Sequence, residues 1–112
     1  METINIEELK AALGKTFKDT LIVDPAFGPH FIIRYSDGGW GVMKTRRDGN
    51  GKLKWRVLGY PSTFMSCLEM IAKELQHEEG AVFENVQSYV EKWSGICDMF
   101  QKLHKKWEVK LI

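Results

Sequence analysis

A chain of 112 residues that is 44% hydrophobic, 28% charged and 12% aromatic has the size and balance of one folded domain over residues 1–112, not of a disordered segment. Its formal charge of +1 points to neither nucleic acid nor an acidic substrate. No apolar run approaches the roughly 20 residues of a membrane span, and Cys67 and Cys97 form no metal or redox motif. The Met1 end lacks the basic-then-apolar layout of a signal peptide, and the sparse cysteines suit a reducing compartment, so a cytoplasmic location is expected.

The first predicted element is a short helix. Asn5 is its cap, Glu7 and Glu8 favour its first turn, Gly14 stops it, and Ile6, Leu9 and Leu13 form one apolar stripe. Thr16 to Asp24 reads as a strand, closed by Pro25. The loop from Pro25 to Pro29, stiffened by proline at both ends, excludes a helix.

The centre is predicted to be an antiparallel meander. His30–Tyr35, Trp40–Arg46 and Leu53–Tyr60 are strand-forming runs separated by the glycine-rich turns 36–39 and 48–51. With Arg47 opposite Lys52, Trp40, Val42, Leu53, Trp55 and Val57 would share an apolar face, with Lys44 and Arg46 at its rim. The other face would carry Met43, Thr45, Arg47, Lys52, Lys54 and Arg56, and would be wet and basic.

Gly59 to Thr63 breaks the sheet, with Ser62 or Thr63 capping a helix whose stripe is Phe64, Leu68, Ile71 and Leu75. The segment 77–80 ends it. A last helix, from about Val82 to Lys106, carries Val86, Tyr89, Trp93, Ile96, Phe100, Leu103 and Trp107 at alternating steps of three and four. The expected fold class is α+β: a small antiparallel β-meander of three or four strands, with an N-terminal helix and two C-terminal helices packed on one face.

Charge is segregated although the total is small. Residues 30–60 carry +5 and residues 69–91 carry −5. Arg34, Arg47, Lys52, Lys54 and Arg56 form a candidate basic sheet face for a partner or a nucleic acid. Glu74, Glu78, Glu79 and Glu84 form a candidate acidic surface for a basic partner. Tyr89, Trp93, Phe100 and Trp107 form a candidate dimer seam, which could equally be the buried side of a long helix.

Catalysis finds little support. His30, His77 and His104 are scattered without metal-ligand spacing, and Ser62 and Ser66 lack the surroundings of a nucleophile. Neither a cofactor nor a metal is expected.

The runs Phe31–Tyr35, Trp40–Lys44 and Trp55–Phe64, the last leading into a helix, resemble small uncharacterised proteins of bacterial viruses and prophages. In those proteins a strand hairpin ends in a Gly-Tyr-x-x-Thr turn before a helix; here the likeness spans residues 30–77. The resemblance implies a mobile-element product that acts by binding a bacterial host protein, a class that includes inhibitors of bacterial defence systems. The leading expectation is therefore a non-enzymatic binding protein, monomeric or dimeric. The alternatives are a nucleic-acid-binding accessory protein using the basic face and a dimeric scaffold built on the C-terminal helix.

Overall fold

In a computed structural model, residues 4–15, 17–78 and 80–111 are described, with side chains as far as Lys105. The elements are α1 (Ile6–Leu13), β1 (Thr20–Ile22), a single 3-10 turn (Pro25–Phe27), β2 (His30–Arg34), β3 (Trp40–Arg47), β4 (Leu53–Gly59), α2 (Phe64–Gln76) and α3 (Val86–Leu111). The class is α+β, with the strands in the order β1-β2-β3-β4 and every neighbouring pair antiparallel. Two compact units emerge, Met1–Cys67 and Leu68–Ile112.

Local chemistry accounts for most element boundaries. Asn5 Oδ1 accepts from the Glu8 N–H at 3.1 Å, and Gly14 leaves α1 at φ 86°. Thr63 Oγ1 accepts from the Ser66 N–H at 3.1 Å and so caps α2. Asn85 Oδ1 accepts from the Ser88 N–H at 2.8 Å and starts α3 four residues later than periodicity suggests. The proline-flanked loop does contain a helical turn, of the 3-10 kind. Asp24 Oδ1 caps it by accepting from the Ala26 N–H at 2.9 Å, and Pro25 occupies a first-turn position whose missing N–H costs nothing.

The hairpin register differs from expectation by one residue, because Arg47 stands opposite Leu53 rather than Lys52. Asp48 and Lys52 close the hairpin (Asp48 N–H to Lys52 carbonyl, 3.0 Å), and Gly51 adopts φ 77°, leaving a three-residue loop where four were expected. One face of the sheet therefore carries Leu21, Phe31, Ile33, Met43, Thr45, Arg47, Leu53, Trp55 and Val57. The other carries Ile22, His30, Ile32, Arg34, Trp40, Val42, Lys44, Arg46, Lys54 and Arg56.

Neither face is simply wet. On the first, Leu9 of α1 joins buried Phe31, Ile33 and Met43, with Leu13, Phe17, Leu53 and Trp55 packed around them. On the second, Ile22, His30, Ile32, Trp40 and Val42 are buried, and the Phe64 ring lies 5.4 Å from that of Trp40. Strand β2 is thus buried on both sides, as the unbroken run Phe31-Ile32-Ile33 requires. In the second unit, α2 buries Leu68, Ile71, Ala72, Leu75 and Gln76, and α3 buries Ile96 and Phe100.

Candidate interaction surfaces

The five residues of the expected basic face do not share one surface. Arg47 lies on the α1 side, where its guanidinium takes both carboxylate oxygens of Glu8, at 2.6 and 2.8 Å. Arg34 sits over the Trp40 ring at 4.5 Å and donates to the Gly38 carbonyl oxygen. Lys52 belongs to the hairpin loop, where its N–H donates to Asp48 Oδ1 at 3.0 Å. Only Lys54 and Arg56 remain together, and the one-residue register change gives them Lys44 and Arg46 as neighbours instead. Lys44 stands opposite Arg56 and Arg46 opposite Lys54, a block of four cations on the outer half of the β3–β4 ribbon. Backbone hydrogen bonds from Lys52 and Asn50 hold the Asp48 carboxyl below its ordinary pKa, with smaller contributions from the charges of Lys54 and Lys52.

In the same unit, a groove of about 600 Å³ is lined by Tyr35, Asp37, Trp40, Tyr60 and Ser62 among others. Burial, then the neighbouring Tyr60, Asp19 and Asp37, push the Tyr35 phenol above its ordinary pKa. The Tyr35 ring can lie against β3 because Gly41 has no side chain. A Cβ there would come within 2.8 Å of the Tyr35 hydroxyl.

In the second unit, Glu78 and Glu84 are exposed and Glu74 is half-buried, while Glu79 lies outside the described residues. Of the expected seam, Phe100 is buried, Trp93 half-buried and Tyr89 just exposed; the Trp107 side chain lies outside the described residues. The stripe is uneven along its length. Ile96 and Phe100 are 8% and 5% exposed, whereas Val86, on the same stripe by helical spacing, is 79% exposed, and Val90, at the edge of that stripe, is 54% exposed. That open end is held firmly. Gln76 Nε2 donates to the Tyr89 carbonyl oxygen at 3.0 Å. With His77 Nδ1 donating to the Lys73 carbonyl oxygen, Nε2 accepts from the Tyr89 hydroxyl at 2.7 Å. The Phe83 ring stands edge-on to Tyr89 at 5.0 Å. Glu84 and Glu91 are exposed beside it. Sequence periodicity places Val86 in the seam but not its exposure, because spacing identifies an apolar side without saying how far along the helix it is covered.

The histidines occupy separate places. His30 is buried with Nδ1 at 2.9 Å from the Phe27 carbonyl oxygen, His77 braces Tyr89, and His104 is half-buried on α3. Among the described residues, no group of three or more His, Cys, Asp or Glu could hold a metal ion. No described helix is long and apolar enough to cross a membrane. Compared with protein-family models, with curated proteins and with solved structures, the chain has no significant match.

Proposed function

We propose that this chain is a non-enzymatic binding protein that docks on another protein through the N-terminal end of α3. The observation that carries the reading is the change along one helix stripe, from buried Ile96 and Phe100 to open Val86, with open Val90 at its edge. Covering a valine side chain stabilises a complex by about 1.5–3 kcal/mol before ordering costs. The hydrogen bonds at Gln76 and His77 already hold this end of the helix, which lowers that cost. Exposed Glu78, Glu84 and Glu91 on the flanking segments select a partner whose apolar ridge is bordered by lysine or arginine. A second copy meeting it end to like end would bring acid against acid.

The likeness of the hairpin, Gly-Tyr-x-x-Thr turn and helix to small phage and prophage proteins supports a mobile-element product acting on a bacterial host protein in the cytoplasm. Host defence proteins are the first class to test. The experiment is capture from nuclease-treated bacterial lysate by the immobilised chain, beside a Val86→Gln/Val90→Lys variant, followed by reconstitution with the purified captured protein. The reading requires a protein that the wild type retains, that the variant loses, and that re-forms a defined complex. Equal retention by both, or a homodimer of the chain that the variant dissociates, overturns it.

A further inference from the structure

We propose that the outer half of the β3–β4 ribbon binds the phosphate backbone of double-stranded nucleic acid. Lys44 and Arg56 stand directly opposite one another, as do Arg46 and Lys54. Arg46, Lys54 and Arg56 are exposed and Lys44 is half-buried. Like charges directly opposite on one sheet face work against folding. None of the four forms an ion pair within 4 Å among the described residues, where Arg47 on the other face takes Glu8.

Edge protection does not explain the whole block. Strand β4 ends the sheet, so Lys54 and Arg56 can discourage pairing with another chain. Lys44 is paired on both sides, with His30 of β2 and Arg56 of β4, and has no edge to protect, while Arg46 lies past the last β2 pairing. An anion that bridges both strands accounts for all four cations together.

The surroundings favour a duplex over a single strand. Single-strand binders add aromatic rings on which bases stack. Here the Trp40 ring on this face is buried and covered by Arg34 and Phe64, and Trp55 lies on the opposite face. A two-stranded ribbon, by contrast, is a shape that the major groove of duplex DNA admits.

The test is fluorescence anisotropy of the full chain with a labelled DNA duplex of about two helical turns, across a salt series. Four phosphate contacts predict a log–log slope of about −3.6, an affinity loss of about 150-fold between roughly 50 and 200 mM salt. Arg46→Glu/Lys54→Glu abolishes binding, whereas Lys15→Glu/Lys18→Glu, the same change in net charge on another exposed segment, leaves it within a few-fold. The milder Lys54→Gln/Arg56→Gln reduces the slope by about 1.8 and guards against a folding failure in the charge-reversed variant. No binding at low salt, equal loss in the two charge-reversed variants, or tighter binding of the corresponding single strand overturns the proposal.

Discussion

Glu8 on α1 and Arg47 at the end of β3, 39 residues apart in sequence, meet as a two-pronged ion pair at 2.6 and 2.8 Å. The contact fastens the N-terminal helix to the sheet face that holds Phe31, Ile33 and Met43, beside the docking of Leu9. It also removes Arg47 from any cationic surface the hairpin offers.

The pair makes α1 docking sensitive to acid. The hydrogen bond from Arg47, then its charge, holds the Glu8 carboxyl below its ordinary value of 4.5. Its stabilising effect is therefore fully present above that ordinary value and is lost as pH falls through the lower folded-state value. Glu8→Gln should weaken α1 protection in hydrogen exchange near neutral pH and bring little further change on acidification. If the wild type and Glu8→Gln lose α1 protection over the same acid range, another group controls it.

Thiol chemistry separates the two cysteines. Burial pushes the Cys67 thiol up to about 12, and its side chain is fully covered, whereas Cys97 is half-buried. A thiol reagent at neutral pH should modify the native chain at Cys97 first and reach Cys67 only on unfolding. Peptide mapping after brief labelling checks the order; prompt modification of Cys67 would contradict its placement.

The covered end of α3 is core. Phe100→Ala should cost about 3–5 kcal/mol in denaturant unfolding, the usual range for a buried phenylalanine. A loss below about 1 kcal/mol would mean that the site is not packed as described.

Gly51 sets the hairpin register. At φ 77° a side chain is strained, so Gly51→Ala should cost about 1–2 kcal/mol despite the open space around it. An unchanged unfolding midpoint would mean that the loop readily adopts another form.

Much of this fold is legible in the residues, because its helix starts rest on single side chains. Asn5 and Thr63 each accept a backbone N–H three residues on, and residues 30–60 alternate strand-forming runs with glycine turns. Asn85 likewise accepts a backbone N–H three residues on and starts α3, whose start the apolar spacing places at Val82. The hairpin register is less legible. It depends on whether the loop begins at Asp48 or at Gly49, and that one-residue choice moves every β4 side chain to the other face. Hence Lys44 and Arg46, expected at a core rim, join Lys54 and Arg56, while Arg47 leaves them. The two-sided burial of β2 follows from Phe31-Ile32-Ile33, a run that alternation alone does not divide into an inner and an outer face. The exposure of Val86 and Val90 is a tertiary fact with no local signature.

The melting midpoint of Val86→Gln/Val90→Lys tests most directly whether the N-terminal end of the α3 stripe is a recognition surface rather than core. Exposed substitutions usually stay within about 0.5 kcal/mol, and about 1 kcal/mol moves the midpoint of a domain this size by roughly 4–8 °C. The account predicts a midpoint within about 5 °C of wild type, with the captured protein no longer retained. A fall of well over about 10 °C, the scale of opening a packed core, would contradict it.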